Sequence, residues 1–188
     1  MPDQVALFGG SFNPPHLAHQ MACLVVLETE PVDQLWMIPT FRHAFGKPLA
    51  PFEDRLEMCR RAAQPFGQRV LVSEVERQLG QAQSRTHDTV VELRRRHPRT
   101  RFRLVIGEDI LAEHEAWYRW DDLMALVTPI VLGRAGREEA ATREGEPRIE
   151  LPDISSTEVR ERVARGESAV PLVPRAVMDY IARRGLYR

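Results

Sequence analysis

The stretch VALFGGSFNPPHLAH, residues 5–19, decides the fold. Its first four residues are apolar and predict a short buried strand, and Gly9 and Gly10 follow at once. A polar turn with two prolines comes next, and a helix is predicted to open at His16. Open α/β sheets build phosphate sites from a strand, a glycine turn and a helix, because backbone N–H groups and the positive helix end converge there. His16 and His19 are three residues apart in the first helical turn, so we expect both to face the same way.

The composition is typical of a globular chain with one sizeable core. The 188 residues are 43% hydrophobic and 28% charged, and a chain of this length buries roughly 70% of the surface that its unfolded form exposes. The net charge of −1 argues against nucleic-acid or membrane-surface binding, which needs a broad positive field. The sequence shows no basic leader followed by an apolar segment and no long apolar run, so we expect a cytoplasmic protein.

Cys23 and Cys59 are the only cysteines, and they are too far apart for a metal or redox motif. We expect them to be buried free thiols. Lys47 is the only lysine among 26 basic residues, and it lies in a proline- and glycine-containing loop with Arg42 and His43.

Strand and helix patterns alternate along the whole chain. This alternation favours an α/β fold, a single-domain Rossmann-like doubly wound parallel sheet over residues 1–188, with C-terminal helices from about residue 152 packed on it. We expect Tyr118 and Trp120 to belong to the core. Strands are predicted at 5–8, 34–38, 70–75, 102–106, 129–132 and 149–151, helices at 17–28, 52–64, 86–96, 121–126, 155–165 and 174–184, and loops at 41–51, 78–83 and 133–147.

Two motifs carry a family resemblance. GGSFNPPHLAH at 9–19 resembles the (G/S)x(F)DPxHxGH signature of the HxGH nucleotidyltransferase superfamily, and ISSTEVR at 154–160 resembles its second signature, ISSTxxR. Within that superfamily the chain looks most like the bacterial nicotinate-nucleotide adenylyltransferases. The supporting segments are SRTHDTVVELR at 84–94, IGEDILAEHEAWYRWDDL at 106–123 and VPRAVMDYIARRGLYR at 173–188.

The resemblance implies adenylyl transfer from ATP to nicotinate mononucleotide, which gives nicotinate adenine dinucleotide and pyrophosphate in NAD biosynthesis. The attacking phosphate is already an anion, so the chemistry needs no general base. It needs two phosphate-bearing molecules held in line and donors where negative charge builds up. Mg²⁺ is expected to be held mainly by the ATP phosphates, because it dehydrates reluctantly, and no residue cluster in the sequence suggests a metal cage.

The resemblance also assigns site residues. His16, His19 and Arg160 are expected to be catalytic, with His16 and His19 near the α- and β-phosphates at a helix N-terminus and Arg160 reaching the β- and γ-phosphates. Three of the residues assigned to ATP binding also have an ordinary structural alternative. Ser155 is then a helix N-cap, Asp109 a cap of the next helix and Lys47 a solvated loop charge. ATP binding is assigned to Gly9, Gly10, Ser11, Phe12, Lys47, Gly107, Asp109, Ser155, Ser156 and Thr157, and pyridine-nucleotide binding to Asn13, Thr86 and Trp117.

Three positions depart from the family pattern. Ala18 replaces the glycine of HxGH and adds a methyl group near the phosphate path. Asn13 replaces the usual aspartate and removes a negative charge. Arg85 replaces the tyrosine of the Ser-Tyr-Thr element, where a cation would favour nicotinate over nicotinamide on Coulomb grounds.

Other functions stay open at this stage. Nicotinamide mononucleotide or phosphopantetheine could be the acceptor, although phosphopantetheine adenylyltransferases lack the aromatic segment and the tail. A nucleotide-binding regulatory protein without turnover is another option, which Ala18 alone supports. The six arginines at 94–103 could suggest RNA binding, but a solvated helix end explains them better. A homo-oligomer is also left open.

Overall fold

Six parallel strands form one sheet in the computed structural model, which describes residues 2–42, 48–108, 110, 114–134 and 150–188. The strand order is β3-β2-β1-β4-β5-β6, and every pairing is parallel. The Rossmann-like prediction is therefore confirmed. The strands are β1 Gln4–Gly10, β2 Gln34–Pro39, β3 Val70–Val72, β4 Arg101–Gly107, β5 Thr128–Arg134 and β6 Glu150–Leu151.

The helices of the described part begin and end close to the predicted positions. The last helix follows Pro174 and ends at Gly185, whose φ of 63° is the left-handed conformation that stops many helices. No described helix has the length and apolar character to cross a membrane. The helices are α1 Leu17–Thr29, α2 Phe52–Ala63, α3 Val75–Leu79, α4 Thr86–Arg96, α5 Trp120–Leu126, α6 Ser156–Ala164 and α7 Arg175–Arg184, with short 3-10 turns at Gln64–Arg69 and His114–Ala116.

Helices cover both faces of the sheet, and β1 shows why. Alternate residues of a strand point to opposite faces, so Ala6 packs in the cluster that α1 and α2 complete. Val5 and Leu7 pack in the opposite cluster, with residues of α4 and α5. Cys23 and Cys59 lie in the first cluster as buried free thiols, as predicted. Burial raises the pKa of the Cys23 thiol to about 12.

A third cluster joins the C-terminal third of the chain to helix α2. Residues of α2, α6 and α7 share it, with Met58, Val159 and Val177 completely buried. This packing brings the C-terminal helices against the helix that follows β2.

Three local predictions are wrong. The strand predicted at 70–75 ends at Val72, and α3 begins at Val75 and occupies the start of the predicted 78–83 loop. A helix of five residues is too short to show a clear periodicity. Tyr118 is 46% exposed and does not belong to the core. Trp120 packs at the edge of a core cluster.

Candidate active site

A cleft of about 240 Å³ opens over the carboxyl ends of β1 and β4. The connections from these two neighbouring strands lead to opposite sides of the sheet, so the cleft lies at the switch point where open α/β sheets bind ligands. Its lining includes these predicted site residues: Gly9, Gly10, His16, His19, Gly107 and Trp117.

The two histidines stack at the start of α1. His16 is the N-cap residue, one position before the helix, and its ring centroid lies 3.7 Å from that of His19. The backbone N–H of His16 donates to Nδ1 of His19 over 3.1 Å. Because Nδ1 accepts this bond, the neutral His19 ring carries its proton on Nε2. The structure thus gives His19 one defined tautomer beside the cleft.

Gly9 and Gly10 differ in what surrounds them. A Cβ at Gly10 would lie 3.2 Å from the Phe12 ring, whereas a Cβ at Gly9 would meet no protein atom within 4 Å. The Phe12 ring packs edge-on against Phe8 and His19, and Phe12 has a φ of 45°, in the left-handed region. Gly10 therefore makes room for a packed ring. Gly9 leaves open space in the wall of the cleft.

The second signature contacts the first. Ser155 is the N-cap of α6, where its Oγ accepts from the Glu158 N–H over 3.1 Å. The Ser156 hydroxyl donates to the Pro14 carbonyl over 2.8 Å. These contacts bring the residues of ISSTEVR to the turn after β1.

Arg160 adds to this junction. Its Nη1 donates to the Asn13 carbonyl over 2.8 Å, and its Nη2 donates to Oγ1 of Thr157 over 3.1 Å. The guanidinium is therefore oriented by the turn and by its own helix. Because arginine has five N–H donors, some remain for a ligand.

Asn13 is buried, and its side chain serves the protein. Its Oδ1 accepts from the Ala50 N–H over 3.1 Å and from the Tyr187 hydroxyl over 2.9 Å. Burial is the main cause that raises the pKa of Tyr187, so the hydroxyl stays protonated and acts as a donor. Sequence reasoning did not identify Tyr187, although it lies in the C-terminal segment that carries the resemblance.

Of the three residues predicted to bind the pyridine nucleotide, Trp117 lines the cleft, where it packs edge-on against Trp120, whereas Asn13 is not among the described lining residues. Thr86 is the first residue of α4 and is not among the described lining residues.

The Arg85 guanidinium carbon lies 4.0 Å from the centre of the Tyr118 ring, and Arg85 makes no ion pair within the described ranges. An aromatic ring thus contacts this cation, whose charge has no carboxylate partner among the residues that the structure describes.

Hydrogen bonds connect the loop after β2 to helix α3 and to the segment before Thr86. Glu76 Oε2 accepts from the Phe41 N–H over 2.8 Å, and burial raises the pKa of Glu76. Ser84 donates its N–H to the Arg42 carbonyl over 2.9 Å, and its Oγ accepts from the Arg42 N–H over 3.1 Å. The loop after β2 is therefore tied to the segment that precedes Thr86.

Two predicted ATP ligands, Lys47 and Asp109, lie outside the described residues. Within the described ranges, no group of three or more His, Cys, Asp or Glu side chains could hold a metal ion.

A family model matches most of this chain, and two relatives match nearly its whole length. The model of the family "Cytidylyltransferase-like" matches residues 7–162. A protein of Anaeromyxobacter sp. (strain K), named "Probable nicotinate-nucleotide adenylyltransferase", is 50% identical over 186 residues, covering 98% of this chain and 97% of that protein. A protein of the same name from Myxococcus xanthus is 40% identical over 184 residues, and the match covers 98% of this chain and 94% of that protein.

The fold of a solved structure is also similar. Nicotinic acid mononucleotide adenylyltransferase of Plasmodium falciparum, solved as a complex with NaAD, superposes with a TM-score of 0.80 at 18% identity, covering 98% of this chain and 97% of that one. At this identity the likeness concerns the fold alone.

Proposed function

The chain belongs to the nicotinate-nucleotide adenylyltransferases of the cytidylyltransferase-like family, and from this we propose how its cleft performs the reaction. It is a nucleotidyltransferase of NAD biosynthesis. A 5′-phosphate oxygen of nicotinate mononucleotide attacks the α-phosphorus of ATP. The bond from that phosphorus to the bridging oxygen breaks, and pyrophosphate leaves with the electron pair. The products are nicotinate adenine dinucleotide and pyrophosphate.

The acceptor phosphate needs no deprotonation, so catalysis consists of alignment and charge stabilisation. We assign that task to the start of α1. His19 has its Nδ1 bonded to the His16 backbone and presents an Nε2–H donor, and the helix N-terminus adds positive potential. The observation that carries the proposal is the hydrogen bond from the His16 N–H to Nδ1 of His19, in a cleft at the switch point of the sheet.

The remaining roles follow from position. Arg160, oriented by Asn13 and Thr157, donates its spare N–H groups to the β- and γ-phosphates. Gly9 gives the phosphates room to approach the backbone. Trp117 supplies a ring face for the pyridine at the opposite wall.

Mg²⁺ does not fit a protein cage in the described part of the chain, because no suitable side-chain cluster is present there. Mg²⁺ supplied with ATP would be held by the phosphate oxygens, whose mutual repulsion it would lower. The substrates are small molecules, and we place the reaction in the cytoplasm.

Product analysis tests this proposal. Purified protein is mixed with Mg-ATP and nicotinate mononucleotide, and pyrophosphate and dinucleotide are measured together. We expect equal amounts of both from the wild type. Pyrophosphate without dinucleotide would show simple ATP hydrolysis, and no product with intact ATP binding would indicate a nucleotide-binding protein without turnover. Either result would overturn the proposal.

A further inference from the structure

Arg55 is a cation buried behind the turn that follows β1. It lies in the first half of α2 and is only 1% exposed. Its Nε donates to the Ala50 carbonyl and its Nη1 to the Ser11 carbonyl, each over 3.0 Å. The guanidinium carbon also lies 5.4 Å from the centre of the Phe52 ring.

The charge of Arg55 has no carboxylate partner within ion-pair distance in the described part of the chain, whereas Arg60 on the same helix pairs with Glu74 at 2.6 Å. Burial lowers the pKa of Arg55, and the smaller electrostatic effects of Cys59, Tyr187 and Glu76 oppose this. Arginine starts from a pKa above about 12, so the group stays charged. A buried charge without a counter-ion is expensive, and a nearby anionic ligand would offset that cost.

The bond to Ser11 also fixes the direction of a backbone donor. The peptide between Ser11 and Phe12 is trans, and in a trans peptide the C=O and N–H groups point in opposite directions. Because the Ser11 carbonyl points to Arg55, the Phe12 N–H points away from it. This N–H donates to no other group in the described part of the chain.

We infer that Arg55 is a positioning residue for the polyphosphate of the nucleotide. It holds the Ser11 carbonyl so that the Phe12 N–H faces the opposite side of the turn, and it places behind that turn a positive charge that has no ion-pair partner among the described residues. The inference rests on the proposed function, in which the ATP phosphates approach Gly9 and the start of α1, at the two ends of this turn. The ligand chemistry it favours is a chain of phosphates, not the nucleoside.

Two variants of similar size separate charge from packing. Arg55→Gln keeps a hydrogen-bonding NH₂ group and loses the charge, whereas Arg55→Lys keeps the charge. Dissociation constants of ATP and adenosine are measured by titration calorimetry. We expect R55Q to weaken ATP binding about tenfold while adenosine binding changes little, because a single charge near the site acts on the phosphates. R55K is expected to keep the wild-type preference for ATP over adenosine.

Arg60→Gln and Arg60→Lys are the matched controls, and both should bind ATP as the wild type does. Circular dichroism confirms that each variant is folded. Equal ATP-to-adenosine preference in R55Q and R55K, or equal loss of both ligands in R55Q, would overturn the inference. If R55Q does not fold, R55K carries the test, and loss of its ATP preference contradicts the inference.

The two proposals fail differently. If the wild type forms dinucleotide but R55Q and R55K show the same preference for ATP over adenosine, the proposed function stands and the inference about Arg55 is wrong. If the wild type forms no dinucleotide but R55Q alone loses the preference for ATP over adenosine, the proposed function is wrong and the effect of the Arg55 charge on phosphate binding stands.

Discussion

The one N–H donor of a neutral His19 ring is Nε2, because Nδ1 accepts a hydrogen bond from the His16 N–H. Replacing either histidine by alanine should therefore lower kcat by about 10²–10³-fold, the usual loss when a donor to the transition state is removed. Steady-state rates of pyrophosphate release check this. His97→Ala is the control, since His97 packs against Trp36 and Phe102 at the amino end of β4 and should leave kcat unchanged. A full-rate H16A enzyme would remove His16 from the mechanism.

Gly9 and Gly10 should respond differently to the same substitution. G10A places a methyl group 3.2 Å from the Phe12 ring and should lower the melting temperature. G9A meets no protein atom within 4 Å, so it should fold normally but raise KM for ATP by narrowing the cleft. Thermal melts and KM values measured on both variants test the contrast, and a G9A enzyme with unchanged KM would show that ATP does not approach Gly9.

Ala18 lines the cleft in place of the family glycine and is 8% exposed. Ala18→Gly should lower the free energy of unfolding by up to about 1 kcal/mol, the helix-propensity difference between the two residues. The same change should lower KM for ATP, because it removes a methyl group from the ligand path. Denaturant unfolding and KM are the two measurements. An increased KM would mean that the Ala18 methyl group contacts ATP favourably.

Arg85 is the residue from which we predict acid-over-amide selectivity. Its guanidinium stacks on Tyr118, next to Trp117 in the chain, and makes no ion pair in the described ranges. Arg85→Tyr restores the family residue and removes the cation, so kcat/KM for nicotinate mononucleotide should fall relative to that for nicotinamide mononucleotide. An unchanged ratio of the two values would place the selectivity elsewhere.

The elements differ in how far the sequence predicted them. The apolar run before Gly9 predicts β1, and the spacing of Val90 and Leu93 predicts α4 with the bounds observed. α3 could not be predicted, because five residues show no clear period. The N-cap at Ser155 is confirmed by its bond to Glu158, and its contact with ATP stays a prediction.

The C-terminal segment acts on the site as an element. Tyr187 reaches back to Oδ1 of Asn13, and the Leu17 N–H donates to the Leu172 carbonyl over 2.9 Å. Tyr187→Phe removes one buried hydrogen bond, which should lower the free energy of unfolding by about 1 kcal/mol. It should also raise KM for ATP, since Asn13 shapes the turn. Denaturant unfolding with steady-state kinetics checks both, and loss of stability without a change in KM would limit Tyr187 to a structural role.

At the scale of the whole molecule, sequence order predicts the parallel sheet, because strands alternate with helices. It does not predict which distant side chains meet. Arg55 is 44 residues from Ser11, and Tyr187 is 174 residues from Asn13, so only the packed tertiary structure brings them together. The single-domain organisation stays a prediction, and the oligomeric state stays open.

The choice of acceptor tests the central claim most directly. The wild-type protein is assayed with Mg-ATP and each of three acceptors, nicotinate mononucleotide, nicotinamide mononucleotide and phosphopantetheine, and kcat/KM is measured for each. We predict the highest value for nicotinate mononucleotide and no turnover of phosphopantetheine. Turnover of phosphopantetheine alone, or of none of the three, would contradict the account.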